Sequence, residues 1–220
     1  MYVMIRIWMV DMGGVLSHHE DKSMERKILR FLGDRKHDSF EEIDPVLSTN
    51  LLDSMSSLEI GEDEYWKRFT KISGIPVPDM HGESLWGKFF SPVINQEVLA
   101  CIKAAKGNGI RVVLASNTEP PHVKFHMARG DYQVFDAVYT SCILRCAKPN
   151  PEFFQKIIDR EAADPKDMFF SDDNQQNCAS AAALGIHAYL YKDPVSLEAE
   201  LIKRGIILNH ILKEQTNSMS

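Results

Sequence analysis

Five short segments along the chain are apolar at nearly every position and are long enough to form β-strands. These segments cover residues 5–10, 111–115, 137–140, 168–171 and 188–191. Strands that lack polar alternation are buried on both faces, as in a parallel sheet that helices cover on each side. The pattern therefore predicts a parallel sheet in the interior of the protein.

The segments between the later strands have helical periodicity and recognisable ends. Residues 95–106 carry an apolar stripe that follows the capping residue Asn95 and ends at a glycine. Asn150 before Pro151 is typical of a helix start, and an alanine-rich helix is predicted over about 175–184. Because helix and strand alternate after residue 93, we predict an α/β fold with a doubly wound, Rossmann-like parallel sheet.

Residues 17–90 have a different pattern, without a strong strand. Their helical periodicity covers about 22–32, 41–52 and 62–72. A strand followed by a helical excursion and then by the rest of a sheet indicates an insertion. We predict a helical cap of residues 17–90, inserted after the first strand into an α/β catalytic core of residues 1–16 and 91–220.

Aromatic residues are concentrated in this predicted cap. Tyr65, Phe69 and Ile72 form one apolar stripe, with Trp66 beside it. The stripe is expected to form the hydrophobic core of the cap. Tyr65, Trp66 and Trp86 remain candidates for facing a binding site between the cap and the α/β core.

Composition narrows the class of protein. The chain of 220 residues is 44% hydrophobic and 25% charged, which is typical of a globular protein with a core. Its formal net charge of −6 argues against a nucleic-acid-binding surface. No apolar run reaches the roughly 18 residues of a membrane span. The apolar start of the chain is interrupted by Arg6 and is expected to be a strand, not a signal peptide.

The four cysteines are scattered and include no Cys-x-x-Cys pair, so neither a disulfide scaffold nor a zinc knuckle is expected. The default expectation is a reducing, cytoplasmic location. The oligomeric state is left open.

Polar side chains follow the predicted strands where they end, and ligands of open parallel sheets bind at this edge. They are Asp11 after the first strand, Ser116 and Asn117 after the second, Lys148 beyond the third, and Asp172 and Asp173 after the fourth. Three acids that converge on one spot need a cation to remain ionised. Hard oxygen ligands of this kind favour magnesium, which shares its shell with a phosphate.

The same residues suit phosphoryl transfer. Lys148 and Ser116 would contact phosphate oxygens, and Asp11 could attack phosphorus to form an aspartyl-phosphate. Gly13 and Gly14 would allow a tight turn that brings the backbone close to metal and phosphate.

Four sequence motifs in order resemble those of the haloacid dehalogenase superfamily of phosphohydrolases. They are DMGGV at 11–15, LASN at 114–117, KP at 148–149 and FFSDD at 169–173. Within it, the chain is most similar to the branch of bacterial glucose-1-phosphatase-like proteins and the N-terminal phosphatase domain of soluble epoxide hydrolase. LEIGE at 58–62, followed by YW at 65–66, resembles the helical cap of that branch. The resemblance spans about residues 5–205.

The resemblance implies roles for individual residues. Asp11 matches the nucleophile, which also binds magnesium, and Lys148 matches the catalytic lysine that stabilises charge and binds the substrate. Ser116 matches the phosphate-binding hydroxyl, with Asn117 beside it as a further substrate-binding residue. The implied metal ligands are Asp11, the backbone carbonyl of Gly13, Asp173 directly, and Asp172 through a metal-bound water. Asn177 matches a supporting position behind these ligands.

Gly13 departs from the family pattern, because most family phosphatases have a second aspartate there that serves as general acid and base. Glycine supplies the carbonyl but no proton, and such help is worth about 10²–10⁴-fold in rate. Either the leaving group departs with little help, or His18 or His19 supplies the proton, or the protein binds phosphorylated ligands with little turnover. The glucose-1-phosphatase-like branch often has glycine here, which favours the first two.

The sequence thus predicts a magnesium-dependent phosphohydrolase that acts on a small phosphorylated metabolite such as a sugar phosphate, with no nucleic-acid or membrane partner. Two alternatives remain. One is a phospholigand-binding protein with little turnover, and the other is a metal-free 2-haloacid dehalogenase, against which the two acids at 172 and 173 argue. His122 and His126 have the spacing of a zinc pair but no third ligand, so zinc is not expected.

Overall fold

A computed structural model describes residues 4–18 and 23–208. In these residues the strands are β1 Ile7–Val10, β2 Ser17–His18, β3 Val93–Ile94, β4 Arg111–Ser116, β5 Ala137–Thr140, β6 Met168–Asp172 and β7 His187–Leu190. Five of them form a sheet in the order β5-β4-β1-β6-β7, with every neighbouring pair parallel. This confirms the predicted α/β fold with its doubly wound parallel sheet.

Helices cover both faces of this sheet. The α-helices of the described residues are α1 Ser23–Phe31, α2 Pro45–Ser48, α3 Asn50–Ser56, α4 Glu62–Ser73, α5 Leu85–Phe89, α6 Gln96–Gly107, α7 Pro120–Arg129, α8 Ser141–Leu144, α9 Pro151–Glu161, α10 Gln175–Ala183 and α11 Pro194–Lys203. Apolar residues of α6 and α11 pack on one face, and those of α9 and α10 pack on the other. None of the helices in the described segments is long and apolar enough to cross a membrane.

Strand β1 occupies the middle of the sheet and is buried along its whole length. Trp8 and Val10 point into one apolar layer, whereas Ile7 and Met9 point into the other, as the alternation of side chains along a strand requires. The indole nitrogen of Trp8 donates a hydrogen bond to the Ser171 hydroxyl at 2.9 Å. A strand buried on both faces explains why its sequence lacks polar alternation.

One predicted helix, over about 41–52, is wrong in its extent. The structure has two short helices there, α2 and α3, with Thr49 between them in a non-helical conformation. Pro45 lacks a backbone N–H and therefore starts a helix, whereas a proline inside a helix would break it. The side chain of Asp44 caps this start by accepting a hydrogen bond from the Val46 N–H at 2.9 Å.

The five helices between β2 and β3 have a hydrophobic core of their own. Its largest members are aromatic: Phe40, Tyr65, Trp66, Phe69 and Trp86. The expectation that Tyr65 and Phe69 form a core is therefore confirmed, whereas Ile72 is 39% exposed and does not belong to it. Since Tyr65, Trp66 and Trp86 are all buried in this cluster, they are packing residues of the insertion.

The chain enters and leaves this helical insertion through two strands that lie side by side. β2 pairs antiparallel with β3, with Ser17 opposite Ile94 and His18 opposite Val93. The backbone N–H of Asn95 also donates to the Leu16 carbonyl at 2.8 Å. Neither strand was predicted from the sequence, because two residues are too few to show a periodic pattern. The assignment of residues 17–90 to a separate cap remains a prediction.

Candidate active site

The candidate residues meet where three neighbouring strands end. Asp11 follows β1, Ser116 ends β4 and Asp172 ends β6. The register places Val10 beside Leu114 on one side and beside Ser171 on the other. Asp11 and Asp172 therefore reach the same level at the carboxyl edge of the sheet, where ligands of such sheets bind.

Lys148 lies at the centre of this group and is 5% exposed. Its Nζ is 2.8 Å from Asp11 Oδ1, 2.6 Å from Asp172 Oδ2 and 2.8 Å from the Ala115 carbonyl oxygen. These three acceptors match the three hydrogens of an ammonium group. Burial alone would lower the pKa of Lys148, but the two carboxylates outweigh it and raise the pKa, so the ammonium remains charged.

The carboxylates outnumber the nearby cation. Burial raises the pKa of Asp11 to about 7, because the charge of Asp172 adds to the effect of burial and Lys148 offsets only part of it. The pKa of Asp173 is also raised, first by burial and then by the charge of Asp172. One lysine thus faces three carboxyl groups, and the site favours a further positive charge.

The geometry of the three acids fits a metal ion. One oxygen each from Asp11, Asp172 and Asp173 can be chosen so that all lie within 4.8 Å of one another. Such a set of hard oxygen donors suits magnesium, which binds through a few carboxylates and retains waters or phosphate oxygens as its other ligands.

Asp172 is held rigidly from several sides and is fully buried. Its oxygens accept hydrogen bonds from the Asn174 N–H at 2.8 Å and from the Asn177 amide at 3.0 and 3.1 Å, in addition to Lys148. Asp173 is exposed by comparison. Asn177 therefore supports Asp172, and Asp173 is the acid of this pair that is open to a ligand.

The side chain of Asn117 is hydrogen-bonded to the backbone of Lys148. Its side-chain nitrogen donates to the backbone carbonyl oxygen of Lys148 at 2.8 Å, and its side-chain oxygen accepts from the backbone N–H of Lys148 at 2.8 Å. This reciprocal pair fixes the backbone of Lys148 against the end of β4. Ser116 is also buried, and its hydroxyl donates to the backbone carbonyl oxygen of Asn117 at 3.2 Å. Substrate contacts by Ser116 and Asn117 remain predictions.

The turn after β1 brings the two acidic loops together. Gly14 has φ of +80°, and a Cβ atom there would lie 2.0 Å from Asp173 Oδ2. A Cβ atom at Gly13 would have no heavy atom within 4 Å. Gly14 is therefore the glycine that the site requires, and it differs from Gly13 both in its positive φ and in its contact with the distant Asp173.

Replacing Gly14 with alanine is expected to lower the free energy of unfolding by at least about 1–2 kcal/mol, the cost of left-handed backbone for a residue with a Cβ. The clash with Asp173 should also weaken magnesium binding. Denaturant unfolding and a magnesium titration measure the two effects. Gly13→Ala is the matched control and should change stability by about 0.5 kcal/mol or less. Equal losses in both variants would contradict this role of Gly14.

The histidines singled out in the sequence lie in different surroundings. His18 is exposed on β2, and His19 lies outside the described residues. His122 Nδ1 is 2.8 Å from Glu119 Oε2, and His126 Nδ1 is 2.6 Å from Asp131 Oδ2. Among the described residues, the side chains grouped closely enough to hold a metal ion are Asp11, Asp172 and Asp173, and neither histidine belongs to that group.

The Rossmann-like sheet and the carboxylate–lysine group at its carboxyl edge define an α/β enzyme fold with a candidate site for an anionic substrate and a cation. Comparison with known proteins gives the family. Residues 5–185 match the family described as haloacid dehalogenase-like hydrolase. The chain belongs to this family of hydrolases.

Three curated relatives match parts of the chain. Acyl-CoA dehydrogenase family member 10 of Mus musculus is 30% identical over 50% of the chain and 10% of its own length. Bifunctional epoxide hydrolase 2 of Rattus norvegicus is 26% identical over 64% of the chain and 27% of its own length. A sesquiterpene phosphatase of Aspergillus oryzae is 25% identical over 46% of the chain and 52% of its own length. The chain thus spans about half or less of each of these relatives.

Solved structures match nearly the whole chain. A HAD family enzyme from Bacteroides thetaiotaomicron, in complex with magnesium and inorganic phosphate, has a TM-score of 0.67 and 26% identity over 86% of this chain and 94% of its own. A HAD-like family hydrolase from Porphyromonas gingivalis has a TM-score of 0.72 and 25% identity over 90% and 98%. L-2-haloacid dehalogenase from Xanthobacter autotrophicus is 16% identical over 91% and 83%, with a TM-score of 0.62, and shares the fold.

Proposed function

We propose that this hydrolase is a magnesium-dependent phosphatase that cleaves a small phosphate monoester through an aspartyl-phosphate. The observation that carries the proposal is the group of three carboxylates within 4.8 Å of one another, beside the buried ammonium of Lys148. The relative that is a phosphatase and the solved relative with magnesium and phosphate support it. A dehalogenase would not need a cation site, so that alternative is not favoured.

Each residue of the site has a separate role in the proposed two-step hydrolysis. A carboxylate oxygen of Asp11 attacks phosphorus, the bond to the ester oxygen breaks, and the leaving group departs with its electron pair. Water then attacks phosphorus, which releases phosphate and restores Asp11. Lys148 holds Asp11 in place through its hydrogen bond, and its positive charge would stabilise the negative charge of the phosphoryl oxygens. Asp11, Asp173 and the Gly13 carbonyl would hold magnesium, with Asp172 contributing through water, and the charge of such an ion would neutralise that of the phosphoryl group.

A chelator experiment tests the metal requirement. Phosphate release from p-nitrophenyl phosphate should be readily measured with magnesium and fall to background with chelator, then return when magnesium is added back. Thermal unfolding should shift upward with magnesium, because an ion that binds only the folded state stabilises it. A thermal shift by magnesium and phosphate without turnover of any ester would identify a binding protein instead. Chloride release from a 2-haloacid in chelator would identify a dehalogenase.

Gly13 limits the substrates that the proposed reaction can use. Because glycine supplies no proton, the favoured substrates are those whose leaving group needs little protonation, such as anomeric sugar phosphates and acyl phosphates. We therefore propose a sugar phosphate among the small phosphorylated metabolites. A cytoplasmic location also remains a prediction.

Replacing Gly13 with aspartate is expected to raise the turnover of simple alkyl phosphates, up to about 10²-fold, the low end of what general acid catalysis contributes. The space beside Gly13 allows the substitution, since a Cβ there meets no atom within 4 Å. Acyl phosphates, whose leaving group is good, should gain little. The measurement is kcat/KM on both substrates. The control is Gly13→Asn, because asparagine has nearly the shape of aspartate but cannot donate a carboxylic-acid proton. Equal gains on both substrates would contradict the explanation.

A further inference from the structure

Helix α7 connects the candidate site to the helical insertion. It starts three residues after Asn117, and Glu119 occupies the position that caps it. The first two residues of the helix, Pro120 and Pro121, have no backbone N–H that a capping side chain could bind, and Glu119 makes no capping bond. Its Oε2 instead lies 2.8 Å from Nδ1 of His122, and both side chains are buried.

The other side of the His122 ring packs on the connection to the insertion. His122 stacks on Phe90 with ring centroids 3.7 Å apart and planes 11° from parallel. Phe90 directly follows α5 and lies three residues before β3. The ring of Trp86 in α5 also contacts His122 edge-on, with centroids 6.1 Å apart. One imidazole thus contacts both the insertion and the segment through which the chain returns to the sheet.

The same segment has a second attachment to α7. Arg129 Nη1 donates to the Pro92 carbonyl oxygen at 2.7 Å. Phe125 packs edge-on against Phe90, with ring centroids 5.0 Å apart. Residues 90–92 are therefore fixed along one side of α7, and His122 is the member of that side closest in sequence to the loop of Ser116 and Asn117.

Packing alone does not account for an imidazole at this position. His122 Nε2 is buried and has no hydrogen-bond partner in the described part of the chain. A buried polar atom without a partner costs stability, which a phenyl ring of similar shape would not. The imidazole adds the contact of Nδ1 with Glu119, which sets the ring plane against Phe90.

We infer that His122 is a positioning residue for the proposed reaction. Held by Glu119, its ring keeps residues 90–94, and with them the insertion, at a fixed distance from the loop that carries Ser116 and Asn117. Since an active site must close over its substrate to exclude water, this contact sets how well the insertion closes. The inference rests on the proposed function for its effect on rate, but the contact can be tested without it.

The first test is hydrogen exchange in the peptide of residues 86–94. His122→Gln removes the stack on Phe90 and should speed exchange by about tenfold or more, because the attachment to α7 is weakened. His187→Gln is the matched control, since His187 Nε2 is also buried without a partner among the described residues but lies on β7 at the far edge of the sheet. Equal exchange in both variants would overturn the inference.

The second test separates turnover from phosphate binding. His122→Gln should lower kcat on a sugar phosphate by at least about tenfold. A mutation far from the reacting atoms that displaces an active-site group by about 1 Å can lower the rate by about 10²-fold. The inhibition constant of inorganic phosphate should not change, because Ser116 and Lys148 belong to the core. His122→Phe keeps the stack but loses the contact with Glu119, so its kcat should lie between those of the wild type and the Gln variant. Equal losses in the Gln and Phe variants would overturn the role of the stack.

Phe90→Leu removes the same stack by changing the partner of His122. This variant tests the role of the stack if His122→Gln does not fold. It should speed exchange and lower kcat in the same way, and wild-type behaviour in both measurements would overturn the inference. If the wild-type protein releases no phosphate from any ester, the proposed function fails, whereas the exchange experiment still decides the role of His122.

Discussion

Replacing Asp11 with asparagine is expected to reduce phosphate release by about 10⁴-fold or more, in the range of losses seen when a nucleophile is removed. An amide oxygen does not form the phosphoryl intermediate, and the substitution also removes a carboxylate from the proposed metal site. The measurement is kcat/KM on p-nitrophenyl phosphate with magnesium. Asp136→Asn is the control, because it makes the same chemical change in an acid that accepts from the Val112 N–H at 2.8 Å near β5.

The same variant should remain folded and respond to pH in a defined direction. The folded pKa of Asp11, about 7, lies above its ordinary value of 3.8. Its contribution to stability is therefore complete below about pH 4 and is lost as pH rises through about 7. The D11N variant has no such loss, so in chelator its stability relative to wild type should increase between about pH 5 and pH 8. Full activity of the variant, or the opposite pH trend, would refute the assignment.

Replacing Lys148 with methionine is expected to lower the free energy of unfolding by about 3–5 kcal/mol, the cost of leaving a buried charge without its partner. Two carboxylates lose their cation at once, since Lys148 Nζ contacts both Asp11 and Asp172. The rate should also fall by about 10²–10³-fold, as when a donor that stabilises transition-state charge is removed. Denaturant unfolding in chelator and kcat with magnesium measure the two effects.

Magnesium should reverse part of the stability loss, because the ion neutralises the same carboxylates. Lys156→Met is the control. Lys156 in α9 is half-buried, pairs with Glu152 at 2.8 Å and donates to the Leu144 carbonyl oxygen at 3.0 Å, and the loss of these contacts should cost only about 1–2 kcal/mol. If the two lysine variants lose the same stability, Lys148 is not a buried structural cation.

The strand ends of the site could be predicted from the sequence because their signals are local. Asp11 directly follows an apolar run, and Asp172 follows another. Parallel strands bring such positions to one edge wherever they lie in the chain. The fold class followed from the same runs. The strands β2 and β3 were missed because two residues show no pattern, and α11, which is ten residues long, was also not predicted.

Contacts between distant residues could not be predicted in this way. Asn117 and Lys148 are 31 positions apart, yet their reciprocal hydrogen bonds fix the backbone of Lys148 in place. The need for glycine at position 14 depends on Asp173, and the stack of His122 depends on Phe90. The spacing of His122 and His126 suggested at most a zinc pair, because a single sequence does not show which carboxylate or ring lies opposite each histidine.

The side-by-side course of β2 and β3 makes the insertion separable from the sheet in evolutionary terms. Leu16 and Asn95 are already hydrogen-bonded neighbours, so a short turn could join them without disturbing the register of β1 and β4. Insertions are tolerated best where the two chain ends meet at the surface. A lineage could therefore exchange the whole helical unit while inheriting the carboxylates and Lys148 at the sheet edge unchanged.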